Sequence, residues 1–369
     1  MRVTIIAFIA LLQSWSSFSA EVVKVLNQEI INKGITGPSL IDWFTNKSTT
    51  VKQSKTGEFF YPLPDVYYNK DCTKIEEAKE SAGTFTDKLF FLFVNKACVN
   101  EGAGYRLVMI IKEVKQGAVE INNLARILDK LDMFKIDNPN AAVLSPALNF
   151  FQYTGPGGQE KYFALIKAAR GEPLLKLLQN EPVDNIRGIF FAVGKALGFF
   201  HLKFMDWATE AVAGSVGNFK DFYKTIVHGD AHLNNIFYDK EKGTTSLIDI
   251  ETMAYSLDKK YSISVDLERL YNLPIYIWGQ YNGCSANKTR DDCSKIIAAY
   301  RALFRGYIDA FPVDKQAQLK IYIKMFLEHH HKITFIPFDE QNVSSRIKDI
   351  EAESSDLKSA KDLHKSLDF

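Results

Sequence analysis

The sequence predicts an α+β chain in which a small antiparallel sheet comes first and a larger, mostly helical region follows. Two pairs of strand-like runs joined by glycine-containing turns lie between residues 88 and 168. Beyond Gly171 wide apolar stripes recur at helical spacing, and one short hairpin interrupts them with polar and acidic residues at its ends. At 369 residues and 46% hydrophobic content the chain can bury two cores, divided here as 72–168 and 169–340. Lys plus Arg at 45 against Asp plus Glu at 44 leaves a formal charge of +1, so no bulk field recruits nucleic acid or anionic membrane.

The first nineteen residues read as a secretory signal peptide: Arg2, an apolar run from Val3 to Leu12, then small polar residues, with cleavage expected after Ser19. That run is too short to span a bilayer, and no later stretch reaches the roughly 18 uncharged apolar residues a span requires. The expectation is a secreted protein, or one in a secretory lumen, with no integral membrane segment once the signal is removed. Four cysteines suit an oxidising compartment and pair economically as Cys72–Cys98 and Cys284–Cys293. Asn46, Asn287 and Asn342 open triplets that serve as glycan acceptors in a eukaryotic host.

Residues 20–71 are expected to form a helical lead-in, from the amphipathic VVKVLNQEIINKG. KLFFLFVN (88–95) and YRLVMIIK (105–112), separated by a glycine turn, read as a hairpin, and VEINNLARILDKL after them as a helix. PALNFFQY and KYFALIKA form a second strand pair. PLLKLLQN, GIFFAVGKALGFFHLKF and 291–330 then read as helices, and 341–369 as a polar tail. Three consecutive histidines, His329 to His331, point in different directions on a helix and are read as solvent-facing rather than as a metal site.

The chemistry concentrates in HGDAHLNNIFYDKEKGTTSLIDIE, 228–251. NIFYD and SLIDI are strand-like, with Lys242-Gly243 at the tip. A hairpin folded there returns Asn235 and Asp249 to each other, so that an amide oxygen and a carboxylate could share a magnesium ion, with Asp230 in the preceding loop. His228-Gly229-Asp230-x-His232-x-x-Asn235, followed by Leu247-Ile248-Asp249-x-Glu251, resembles the catalytic loop and metal motif of the aminoglycoside phosphotransferase and choline kinase families. The resemblance implies a bilobal protein-kinase-like fold. It implies Asp230 as catalytic base, Asn235 and Asp249 as magnesium ligands, and Asp266 as a brace for the loop, with His228 and His232 as hydrogen-bonding struts.

The same resemblance, running from about 80 to 270, assigns 72–168 as a nucleotide-binding lobe and 169–340 as a catalytic lobe. Gly83 and Thr84 would belong to a phosphate-covering turn, Lys112 would contact the nucleotide phosphates with Glu120 holding it extended, and backbone groups from Ile166 to Ala168 would meet the adenine edge. Lys115 is a rival for Lys112. Glycine stands at 229, where regulated protein kinases usually carry arginine, and only sixteen residues separate Asp249 from Asp266. A small-molecule or sugar acceptor therefore fits better than a protein. The expected activity is transfer of the ATP γ-phosphate to a hydroxyl with magnesium. The alternatives are a nucleotide-binding pseudokinase or interaction protein of the same fold, and transfer of another nucleotide moiety. The aromatic run Tyr255, Tyr261, Tyr271, Tyr276, Trp278 and Tyr281 could cage a quaternary ammonium group, though core packing explains such residues as well.

Overall fold

The computed structural model describes residues 32–36, 66, 69, 71–78, 86–114, 118–154, 157–158, 160–207, 223–270 and 290–329. The signal peptide, most of the lead-in, Gly83 and Thr84, Lys115, Cys284, the three glycan triplets and the polar tail lie outside them. The described residues fall into two compact units, each taken here by itself: those up to Asp132 with Ser145–Ala168, and Met133–Leu144 with those from Ala169 onward. The chain is mixed α/β, with an antiparallel sheet and several helices.

The first unit is built on a six-stranded sheet of order β1-β6-β7-β4-β3-β2. Its strands are β1 (Asn32–Thr36), β2 (Thr73–Glu77), β3 (Thr86–Asn95), β4 (Tyr105–Val114), β6 (Ala147–Thr154) and β7 (Glu160–Lys167). Both expected strand pairs form, β3 with β4 and β6 with β7, and every neighbouring pair is antiparallel except β1 with β6. Residues 32–36 thus depart from the helical lead-in: they add a parallel edge strand, where backbone pairing with β6 overrides the local helical pattern. Phe90, Leu92 and Val94 of β3 pack with Met109, Ile111, Phe163 and Leu165 as the apolar core on one face. The helix α1 (Ala118–Asp129) buries Ile121, Leu124, Ala125 and Leu128 along one helical stripe, and Ile127, Asn122 and Asn123 beside it.

A disulfide joins Cys72, just before β2, to Cys98 in the β3–β4 connection, as the sequence suggested. It closes a sequence separation of 26 and ties the edge strand to the hairpin turn, where Asn95 N–H also donates to the Cys72 carbonyl at 2.7 Å.

Met133–Leu144, expected with the sheet, packs in the second unit instead. Phe134 stacks on Phe200 with centroids 6.3 Å apart, Ala142 N–H donates to the Ala196 carbonyl, and β5 (Val143–Leu144) runs parallel to a hairpin strand. The helices here are α2 (Leu174–Asn180), α3 (Val183–Phe204), α4 (Ala254–Asp258), a helical segment at 264–270, α5 (Arg290–Asp309) and α6 (Val313–His329). Short strands β8 (Glu172–Pro173), β10 (Ile236–Asp239) and β11 (Thr244–Leu247) join β5 in a four-stranded sheet, and β9 (Lys224–Thr225) pairs with β12 (Tyr261–Ser262). Among the described residues no helix is long and apolar enough to cross a membrane.

The helices α3 and α5 approach backbone to backbone. A Cβ on Gly194 would fall 2.0 Å from the Leu303 carbonyl oxygen, and one on Gly306 would fall 2.0 Å from that of Phe191. Lys195, which interrupts the apolar run of α3, stays compatible with this packing because its ammonium reaches Asp309 at 2.5 Å and lies 5.9 Å from the Phe199 ring.

Candidate active site

The expected hairpin forms with Ile236 opposite Leu247 and Asp239 opposite Thr244. Its ladder extends one step past the open end, where Ile248 N–H donates to the Asn235 carbonyl at 3.0 Å. Asn235 and Asp249 therefore flank the same end of the ribbon. Asp249 adopts φ 56°, ψ 50°, a left-handed conformation that non-glycine residues enter only at a cost of order 1 kcal/mol or more. It ends the strand there and turns the chain into the 3-10 turn Ile250–Met253.

The loop before β10 is closely determined. His232 N–H donates to the Asp230 carbonyl and Asn235 N–H to the His232 carbonyl, both at 2.8 Å. The Asn235 side chain is buried, and its Nδ2 donates to the Asp230 carbonyl at 3.0 Å and to Asp230 Oδ2 at 3.4 Å. With the amide nitrogen engaged, Oδ1 is the end of Asn235 suited to a cation. Asp230 itself is partly exposed, with His232 Nε2 at 3.6 Å from Oδ2 and Arg269 Nε at 3.7 Å from Oδ1. Burial holds the His232 imidazole below the usual histidine range; the Asp230 and Asp249 carboxylates pull the other way, and the nearby His228 ring and Arg269 guanidinium add to the depression.

His228 is wholly buried and links the two acids through backbone groups. A carbonyl can only accept, so the contact of Nε2 with the Ile248 carbonyl at 2.8 Å places the ring hydrogen on Nε2, and Nδ1 accepts from Asp230 N–H at 3.2 Å. The residue after it must be glycine. Gly229 has φ +83°, and a Cβ there would meet the Thr252 side chain at 3.2 Å, while Thr252 Oγ1 donates to the His228 carbonyl at 2.5 Å.

Asp266 braces the loop by accepting from His228 N–H on Oδ2 at 2.7 Å and from Gly229 N–H on Oδ1 at 2.8 Å. Its Oδ2 also meets His201 Nε2 at 2.9 Å, and His201 Nδ1 meets the Tyr307 hydroxyl at 2.7 Å. Burial opposes the charge on Asp266, yet the His201 hydrogen bond, the nearby His201 and His228 rings and the His228 amide together hold its carboxyl below the usual range. Burial, reinforced by the Asp266 charge, keeps the Tyr307 phenol protonated far into the alkaline range.

In the first unit Lys112 and Glu120 come together, Nζ to Oε1 at 2.8 Å, with both side chains about nine-tenths buried. Lys112 lies on a central strand between Leu89 and Ala164, and Glu120 in the first turn of α1. Glu113 points to the other face of β4, where Oε1 meets Lys161 Nζ at 2.7 Å. Ile166 sits in β7 opposite Ile110. The amides of Lys167 and Ala168 donate to the Pro146 and Val108 carbonyls, so an adenine contact through those two N–H groups would have to displace backbone hydrogen bonds at the end of the sheet.

Sequence reasoning missed Arg269, His201 and Tyr307. Arg269 follows Asp266 by three positions, the spacing that puts two helical residues on one face, and that signal was readable. His201 stood in the apolar run GFFHLKF with Lys203 as its other polar residue, and nothing local set the histidine apart. Tyr307 lies 106 residues from its partner and left no local sign. Of the aromatic run, Tyr255 and Tyr261 are half-buried, and the other four lie outside the described residues.

Asn235 Oδ1 and the Asp249 carboxylate are hard oxygen donors, the type magnesium takes from a protein when substrate oxygens and water complete its shell. Among the described residues no group of three or more His, Cys, Asp or Glu side chains is arranged for a metal ion, so a closed all-protein cage is not what this donor set offers.

No protein-family model matches the chain, and no curated protein does. Among solved structures, "WaaP in complex with acyl carrier protein" matches at 14% identity with a TM-score of 0.29, covering 68% of this chain and 86% of that one. A likeness of that size carries no functional argument.

Proposed function

We propose that the protein is an ATP- and magnesium-dependent kinase that phosphorylates a hydroxyl of a small molecule or sugar. The observation that carries this reading is the fixed relation of Asp230 to Asn235 and Asp249. One imidazole, His228, bonds the Asp230 amide and the carbonyl preceding Asp249, and the Asn235 amide nitrogen is bound back to Asp230. A capped surface hairpin needs none of these constraints.

In this mechanism Asp230 accepts a hydrogen bond from the acceptor hydroxyl and takes its proton as the hydroxyl oxygen bonds to the γ-phosphorus. The bond from that phosphorus to the β–γ bridging oxygen breaks, and its electron pair leaves with ADP. Asn235 and Asp249 would hold magnesium, which when bound neutralises charge on the phosphates. Lys112, kept extended by Glu120, would hold phosphate oxygens. The Cys72–Cys98 bond supports passage through an oxidising compartment, in line with the secretory address read from the N-terminus.

The test is phosphate release and acceptor mass shift, with and without Mg²⁺, for the wild type, Asp230→Asn and Asp249→Asn. Turnover should fall about 10²- to 10⁴-fold in Asp230→Asn. Equal, negligible turnover in all three, with nucleotide still bound, would instead make the protein a nucleotide-binding module.

A further inference from the structure

The geometry points to Arg269 as an oxyanion anchor beside the acceptor hydroxyl, which makes the acceptor a hydroxylated anion rather than an alkylammonium compound. The inference rests on the reading above only in taking Asp230 as the residue that faces the acceptor.

Three observations carry it. Arg269 comes from an element remote in sequence and reaches the same carboxylate that His232 and Asn235 flank, with Nε 3.7 Å from Asp230 Oδ1. That separation is too long for a hydrogen bond, so the guanidinium is electrostatically paired with Asp230 without a fork of hydrogen bonds to it. The side chains of Arg269 and Asp230 are also about one-third exposed, 34% and 32%, while those of His228, Asn235 and Asp266 beside them are buried. The charged pair, with the less exposed His232 beside it, is thus the part of this cluster that solvent, and hence a ligand, can reach.

A guanidinium is charged at every pH a protein meets, and its planar donors match two oxygens of a carboxylate or phosphate. An anion next to the reactive hydroxyl would be drawn to Arg269 while the hydroxyl itself lies against Asp230. A trimethylammonium group bound at the guanidinium, on the side away from Asp230, would face a fixed like charge. The cation cage considered from the aromatic residues is therefore disfavoured at this position.

Glycerate, glycerol and choline form a matched set of hydroxylated probes bearing negative, zero and positive charge. Their binding to the full chain is measured by calorimetry without nucleotide, for the wild type, Arg269→Met and Arg269→Lys. The expected result is that glycerate binds more tightly than glycerol, and choline least. Arg269→Met should weaken glycerate about 10- to 100-fold and leave glycerol unchanged, with partial recovery in Arg269→Lys. Unchanged thermal midpoints would show that the variants fold. No measurable glycerate binding, glycerate binding indifferent to Arg269→Met, or choline binding as tightly as glycerate overturns the inference. Because these titrations need no turnover, they succeed or fail separately from the kinase assay. Loss of glycerate binding in Arg269→Met alongside an inactive wild type would sink the kinase reading and leave the anchor standing.

Discussion

His201, near the end of α3, and Asp266, in the helical segment that follows β12, meet at 2.9 Å with both side chains almost wholly buried. The same Asp266 oxygen receives the His228 amide, so the position of the loop carrying Asp230 depends on a carboxylate that has no access to water. Removing His201 leaves that charge with one fewer partner. His201→Phe should lower the unfolding free energy by about 3–5 kcal/mol. Pairing it with Asp266→Asn should cost less than the sum of the two single changes, and a double-mutant cycle in urea measures the coupling.

The pH dependence follows from the lowered Asp266 carboxyl. Between its native value and the unfolded value of about 3.9, the unfolded chain binds more protons than the folded one, so stability rises with pH in that window. The contribution is fully present above the unfolded value and is lost as pH falls through the native one. Urea midpoints taken from pH 6 to pH 3 should fall toward acid in the wild type and fall less steeply in Asp266→Asn. Parallel curves would contradict the assignment.

Lys112 and Glu120 make a separable case in the first unit. Lys112→Met leaves the buried Glu120 carboxylate without its ammonium, and stability should drop by about 3–5 kcal/mol. Adding Glu120→Leu should recover much of that loss in denaturant. If Lys112 holds nucleotide phosphates as proposed, nucleotide affinity measured by calorimetry should stay impaired in the double variant, because that contact would require the ammonium itself.

The Cys72–Cys98 bond shortens the loop available to the unfolded chain, and a closed loop of this length is worth about 3.5 kcal/mol. Reduction, or Cys72→Ala with Cys98→Ala, should lower the denaturant midpoint accordingly. Deuterium uptake should increase first in β2 and the β3–β4 turn.

Gly194 and Gly188, both on α3, should respond differently to the same change. Gly194→Ala forces a methyl group onto the Leu303 carbonyl and should lower the melting temperature by several degrees, from a loss of about 1–3 kcal/mol or more. A Cβ at Gly188 meets nothing within 4 Å, so Gly188→Ala should be neutral or stabilising by up to about 1 kcal/mol. Thermal melts of the two variants side by side decide this.

Much of the architecture was legible because the signals were local. Glycine turns and strand-like runs announced β3 with β4 and β6 with β7, and Lys242-Gly243 announced the hairpin around which Asn235 and Asp249 sit. The edge strands were not legible. NKGIT has no alternation and pairs with β6 more than a hundred residues away, and TKIEE is a charged edge strand held by the disulfide. The site divides in the same way. Asp230, Asn235, Asp249 and Asp266 sit in one short stretch with a recognisable order. His201 and Tyr307 join it only through tertiary packing, which composition and periodicity do not encode, whereas Arg269 was readable from its helical spacing to Asp266.

Gly229 also closes a route. An arginine there, of the kind that lets a phosphorylated segment govern a neighbouring loop, would have to leave a left-handed dihedral and push aside Thr252, whose hydroxyl secures the His228 carbonyl. The residue recruited to sense the signal would first disorder the acid it was meant to govern. Control of Asp230 through an arginine at this position is thereby closed to this chain.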